Sequence, residues 1–178
     1  MRKCTMQILL TRDQIAVEVS RIGRQITQEF DGQSVVLIGV LKGACIFLSD
    51  LARQISLNAT FDFIAVRSYG SGQESSGEVQ LVKDVTTSLR DRNVIIVEDI
   101  LDTGYTLTFL KKLFMAHQPR SLKVAALLDK SSRRAVPINA DYVGFIIPDK
   151  FVVGYGLDFD ERYRNLPDIC IVPAIQQP

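Results

Sequence analysis

Val94-Ile95-Ile96-Val97-Glu98-Asp99-Ile100-Leu101-Asp102-Thr103-Gly104-Tyr105-Thr106 is the stretch whose reading fixes the fold. Four β-branched residues with no polar break mark a strand buried on both faces, as in a parallel sheet covered by helices. The run ends in two adjacent carboxylates, Glu98 and Asp99, and Asp102 follows. Small hydroxyl and glycine residues then open a helix that extends to about His117 and is stopped by Pro119. A helix beginning around Thr103, Gly104 and Thr106 offers free backbone N–H groups, hydroxyl donors and the positive end of its dipole, which together suit a phosphate. Acids beside an anion site are costly unless a further group binds there. A sugar phosphate meets both needs: carboxylates accept hydrogen bonds from ribose hydroxyls, directly or through a divalent metal, while the phosphate rests on the helix end. One Asp before a helix would be an ordinary cap, whereas three acids and T-G-x-T directly after a buried strand read as a site. Neither G-x-x-x-x-G-K-[ST] nor G-x-G-x-x-G occurs, so the kinase and dinucleotide readings fall together.

Outward from this stretch the same strand-then-helix grammar repeats. Thr11 to Gln14 reads T-x-x-Q, a capping box, and opens a helix with Ile15, Val19, Ile22, Ile26 and Phe30 on one face, ending near Asp31-Gly32. Val35 to Leu41 is a second buried strand, followed by the turn Lys42-Gly43-Ala44 and a helix from Ile46 to Ile55. Strands are expected at Thr60 to Tyr69, Gln80 to Val85, Val124 to Leu128 and Tyr142 to Ile147. Between Tyr69 and Glu78 the chain reads G-S-G-Q-E-S-S-G, too small and polar to pack, which predicts a mobile loop. The pattern is α/β, with a mostly parallel central sheet flanked by helices. Ligands of such folds bind beyond the carboxyl ends of the strands, here in the turns after Leu41, Val97 and Leu128.

Composition narrows the function. A length of 178 residues predicts one domain spanning 1–178, and 47% hydrophobic with 23% charged residues is ordinary globular composition. A net charge of +1 lacks the basic footprint of a nucleic-acid binder. Cys4, Cys45 and Cys170 are scattered and odd in number, so neither a disulfide framework nor a zinc site is expected; they read as reduced thiols of a cytoplasmic protein. The apolar stretch Met6 to Leu10 is too short for a signal sequence and is interrupted by Thr11-Arg12-Asp13, so no export is expected. No apolar run approaches the ~18 residues of a membrane span. His117, the only histidine, sits at a helix end before Pro119 and reads as a C-terminal charge rather than a catalyst.

With Leu41-Lys42-Gly43, Ser68-Tyr69, Asp129-Lys130, the run Pro148 to Asp158 and Tyr163-Arg164 standing in order around Val94 to Thr106, the chain resembles the hypoxanthine-guanine phosphoribosyltransferases of the type I phosphoribosyltransferase fold, from about Leu10 onward. The resemblance implies a small hood built from the chain ends, Mg²⁺ as cofactor, a homodimer or homotetramer, and hypoxanthine, guanine and phosphoribosyl pyrophosphate as substrates. By the same resemblance Lys42, Gly43, Ser68, Tyr69 and Arg164 contact pyrophosphate, with an unusual backbone geometry between Lys42 and Gly43. Glu98 and Asp99 handle the ribose hydroxyls and, with Asp158, the metal. Asp102 faces N7 of the purine and begins the 5′-phosphate loop completed by Thr103, Gly104, Tyr105 and Thr106. Lys130, Phe151, Val152 and Asp158 surround the base: Lys130 donates to O6, Phe151 stacks, and the Val152 backbone reads the base edge. Two departures stand out, Ala44 where Gly or Ser is frequent and Tyr105 where some relatives carry Lys.

Without that context Lys130 would read as a solvated lysine, Phe151 as core, and Asp158 and Arg164 as a surface ion pair. Two rival functions share the fold: transfer to xanthine, adenine or another base, and RNA-binding regulation. The regulators usually lack an acid where Asp102 stands and need a basic face.

Overall fold

The computed structural model describes residues 6–69 and 78–173. The expected mobile loop at 70–77, and Cys4, lie outside the described residues. Six strands form the main sheet in the order β4-β3-β2-β5-β6-β7: β2 (Val35–Leu41), β3 (Ala59–Tyr69), β4 (Glu78–Lys83), β5 (Asn93–Leu101), β6 (Ser121–Asp129) and β7 (Tyr142–Ile146). All neighbours are parallel except the edge hairpin β3–β4. Each bound lies within a few residues of the sequence expectation, and β2 coincides with it.

The continuous apolar runs serve two cores at once. Val35 and Leu37 of β2, with Ile95 and Val97 of β5, pack beneath α1 (Arg12–Glu29) and α2 (Cys45–Gln54). Their alternates Val36, Ile38, Val94 and Ile96 pack beneath α3 (Tyr105–Met115) through Leu107, Leu110 and Phe114. Strand alternation thus puts half of each run on each face, and the absence of a polar face follows. The capping box is formed: Gln14 N–H donates to Thr11 Oγ1 at 3.3 Å, and Thr11 N–H donates to Gln14 Oε1 at 2.9 Å.

A second sheet, β1-β9-β8, joins β1 (Gln7–Leu10), β8 (Val152–Val153) and β9 (Ile169–Ile171) as antiparallel neighbours. This is the hood, in which the first and last described strands pair. The stretch from Met6 to Leu10, considered above only as a possible leader, supplies its first strand. Among the described residues no helix is long and apolar enough to cross a membrane. β2, β5 and β6 end on one edge, where Leu101 pairs with Asp129, and the candidate residues gather at that edge.

Candidate active site

The turn after β5 is built around Gly104, the N-cap of α3, which adopts φ +92°. That left-handed geometry favours glycine, and a Cβ there would also run into Ile138 and Val136. A hollow at this point is walled by Glu98, Ile100, Leu101, Asp102, Thr103, Gly104, Thr106 and Leu107. Thr103, Gly104 and Thr106 thus share one concavity with Glu98 and Asp102, while Tyr105 is not in its wall.

Glu98 and Asp99 sit half-buried near the end of β5. Glu98 Oε2 is buried without a hydrogen-bond partner. Burial first, and the neighbouring Asp99 charge second, push the Glu98 carboxyl well above its usual range. Burial pushes Asp99 up to about 6, against the pull of the Ile100 and Asp99 N–H groups and of Arg164; Asp158 adds to the rise. Ile100 N–H donates to Asp99 Oδ1 at 2.7 Å.

Two glycines let other segments reach this pair. A Cβ on Gly43 would collide with the Asp99 carboxylate, and one on Gly156, at φ +103°, would collide with the Gly43 carbonyl. The end of β5, the turn after β2 and the hood segment therefore stack at van der Waals distance. The peptide bond Leu41–Lys42 is cis. The unusual geometry expected between Lys42 and Gly43 therefore lies one bond earlier.

Around the stack stand two cations. Arg164 Nη1 donates to the Gly156 carbonyl at 2.8 Å, and Nη2 lies 2.9 Å from Asp158 Oδ1 and 3.5 Å from Glu161 Oε1. Arg164 Nε is buried without a partner. Lys42 Nζ lies 2.8 Å from Glu161 Oε2, and the Lys42 hydrogen bond draws the Glu161 carboxyl below its usual range.

At the other end Lys130 is buried, with only 6% of its surface exposed, so it is not a solvated lysine. Burial lowers its ammonium pKa, against the opposing charges of Asp102 and Asp149. Asp102 Oδ1 lies 3.1 Å from Arg133 Nε, an ion-pair distance outside hydrogen-bond geometry, and Arg133 Nη1 is 3.5 Å from Asp149. Phe151 is half-buried and meets Phe159 edge-to-face with centroids 5.8 Å apart, while Val152 is buried in β8. Ser68 and Tyr69 end β3, paired with Val79 and Glu78. His117 is exposed beyond α3.

Residues 6–160 match the model of the phosphoribosyl transferase domain family. The chain is similar to the hypoxanthine-guanine phosphoribosyltransferase of Bacillus subtilis, 45% identical over 172 residues that cover 96% of both chains. The chain belongs to the hypoxanthine-guanine phosphoribosyltransferase family. A crystal structure of a family member from Bacillus anthracis superposes with a TM-score of 0.90 at 47% identity, covering 94% of this chain and 98% of that one. The bifunctional protein TilS/HprT of Listeria innocua is 46% identical over 166 residues, 93% of this chain, and the chain spans 26% of that relative's length.

Sequence reasoning within this family missed Arg133, Arg134 and Glu161. Arg134 is nearly buried, pairing with Asp129 and donating to the Asp102 carbonyl. The dipeptide Arg133-Arg134 shortly after Lys130 was the available signal, and it resembles a solvated basic loop. A groove of about 410 Å³ between α1, α2 and residues 165–167 contains none of the candidate residues.

The donors present bear on the Mg²⁺ that the resemblance implies. Among the described residues no three His, Cys, Asp or Glu side chains gather into a ready cage. Asp158 is engaged, by Arg164 on Oδ1 and by the Glu161 N–H on Oδ2 at 2.8 Å. The unpartnered Glu98 oxygen and the Asp99 carboxylate are hard donors of the kind Mg²⁺ uses one or two at a time, the rest coming from substrate and water. Glu98 and Asp99 fit the ion, and Asp158 would first have to release Arg164.

Proposed function

We propose that this chain transfers the 5-phosphoribosyl group of phosphoribosyl pyrophosphate to hypoxanthine or guanine, giving the nucleotide and pyrophosphate. The observation that carries the reading is the half-buried acid pair Glu98–Asp99, one Glu98 oxygen of which is buried without a partner, with the phosphate loop on one side, the Lys42 and Arg164 cations on another, and buried Lys130 beside Asp102.

Each element has a task. The 5′-phosphate binds at the α3 N-terminus, through N–H groups and the Thr103 and Thr106 hydroxyls. Glu98 and Asp99 accept hydrogen bonds from the ribose hydroxyls, which supply the partner that Glu98 Oε2 lacks. Lys42 and Arg164, held by Glu161 and Asp158, exchange those carboxylates for pyrophosphate oxygens. Phe151 stacks on the base, and the Val152 backbone reads its edge. Lys130 donates to O6, and would meet the amino group of adenine donor to donor. As the bond from the anomeric carbon to pyrophosphate breaks, its electron pair leaves with the pyrophosphate. The purine N9 closes the new bond onto the cationic sugar, and Asp102 accepts the N7 proton. Mg²⁺, when bound at Glu98 and Asp99, supplies charge neutralisation for the pyrophosphate.

The family resemblance extends the proposal to a cytosolic homodimer or homotetramer, which sedimentation of the purified chain would size. The deciding experiment is nucleotide formation from phosphoribosyl pyrophosphate with hypoxanthine, guanine, xanthine and adenine in parallel. Turnover of the first two far above adenine is expected. Adenine used as readily as hypoxanthine, or no turnover with any base, would refute the reading.

A further inference from the structure

The carbonyl edge of the phosphate loop is tied down residue by residue. Beyond the last β5–β6 pair, the Leu101 carbonyl accepts from the Lys130 N–H at 3.0 Å, and the Thr103 carbonyl accepts from the N–H groups of Ala135 and Val136 at 3.0 and 3.4 Å. Between them the Asp102 carbonyl accepts from Arg134 Nη1. Three successive carbonyls are bonded to the segment after β6, and the same loop, with the free N–H groups of a helix start, walls the hollow through Asp102, Thr103, Gly104 and Thr106.

Only the middle carbonyl is held by a side chain. After Asp129 the chain turns into a short 3-10 turn, Ser131–Arg133, and its backbone leaves the line of the ladder. Arg134 fills the gap. The second arm of its guanidinium pairs with Asp129, and both side chains are 13% exposed. A planar fork engaging two acceptors in a dry site has one orientation, which a lysine cannot reproduce.

We infer that Arg134, anchored on Asp129, is a positioning residue: it sets the Asp102 peptide and thereby aims the loop N–H groups at the 5′-phosphate of the substrate. The inference rests on the proposed phosphoribosyl transfer and adds residues that neither the sequence motif nor the family resemblance singles out.

The test uses the whole chain with Arg134→Met, Arg134→Lys and Asp129→Asn, measuring kcat, both KM values and the thermal midpoint. Charge-assisted bonds in a nearly buried site are worth enough that Arg134→Met should raise KM for phosphoribosyl pyrophosphate about tenfold or more. Arg134→Lys and Asp129→Asn should fall between it and wild type, with KM for hypoxanthine held within about twofold. Combining Asp129→Asn with Arg134→Met should add little, because the two act through one contact. A merely structural role would lower the active fraction, and with it kcat, leaving both KM values in place; that result overturns the inference. So does an equal rise in KM for hypoxanthine. If Arg134→Met does not fold, the Lys and Asn variants decide alone, and an unchanged KM for phosphoribosyl pyrophosphate in both refutes the idea. A wild-type chain that used no phosphoribosyl pyrophosphate would instead refute the function beneath it.

Discussion

Replacing the acid pair should stabilise the free protein at neutral pH while crippling it as an enzyme. Burial raises the Asp99 carboxyl from 3.8 to about 6, so near pH 7 the folded chain carries a charge its surroundings disfavour. A shift of that size corresponds to about 3 kcal/mol against the ionised form. Because the folded group holds its proton at a pH where the unfolded group has lost it, this contribution to stability is complete below about pH 4 and is lost as pH rises through about 6. Glu98 is raised as well and acts in the same direction. Asp99→Asn keeps the acceptor for the Ile100 N–H but carries no charge. The variant should therefore gain about 1–3 kcal/mol over wild type at pH 7–8, and about 2–4 °C in Tm for each kcal/mol, with the advantage vanishing near pH 4. Denaturant titrations at four pH values between 4 and 8 would trace the difference. In kinetics, Glu98→Gln with Asp99→Asn should weaken use of phosphoribosyl pyrophosphate for every base alike. A variant no more stable than wild type at pH 8, or a loss confined to one base, would refute the placement of these acids as half-buried sugar ligands.

Other outcomes follow from the same geometry. Asp102→Asn should lower kcat by at least about tenfold, the small end of what general acid–base assistance contributes, with KM for phosphoribosyl pyrophosphate nearly unchanged. Lys130→Ala should raise KM for hypoxanthine and guanine, since it removes a contact made in ground and transition states alike; steady-state kinetics separates the two. Gly156→Ala forces a side chain into φ +103° and onto the Gly43 carbonyl, so it should cost about 1–3 kcal/mol in thermal unfolding and displace Gly43 from Asp99, impairing turnover. Burial alone would raise the Asp62 carboxyl, but hydrogen bonds from the Phe63, Thr86 and Thr87 N–H groups and the Thr86 hydroxyl outweigh it and hold it well below its usual range. Its contribution is present above about pH 4 and lost below. Asp62→Ala should therefore destabilise the protein by about 2–3 kcal/mol at neutral pH and by less at pH 3, as acid unfolding would show.

What could be read from the sequence divides along a physical line. Strands β2 and β5 were legible because a residue buried on both faces must be apolar at every position, which leaves a run no loop or surface helix imitates. The start of α1 was legible because a capping box is a local contact whose partners lie three residues apart. The phosphate loop belongs to the same class, its donors being consecutive. The hood does not: β8 has two residues and β9 three, and β9 is an edge for β8 that is completed only when a strand from far along the chain joins it, as Gln7 pairs with Ile171. Residues 152–171 show no period to detect, and here only resemblance indicated a hood.

The same line runs through the site and explains why Arg134 and Glu161 were missed. Glu98, Asp99 and Asp102 announce themselves by standing where a buried strand meets a helix, so their chemistry conflicts with their surroundings. Arg134 and Glu161 conflict with nothing in the sequence, since a charged residue in a polar loop is what solvent would select. Their significance lies in the partner. Arg134 matters because Asp129 and the Asp102 carbonyl lie within its reach and out of water, and Glu161 because Lys42 and Arg164 converge on it. A ligand site at strand ends is assembled from turns that meet only after folding. Its anionic ligands require cations, and before the ligand arrives those cations are held by carboxylates such as Glu161 and Asp158. The carboxylates are placed by the hood and the cations partly by the sheet, so the pairing itself is invisible until both are folded together.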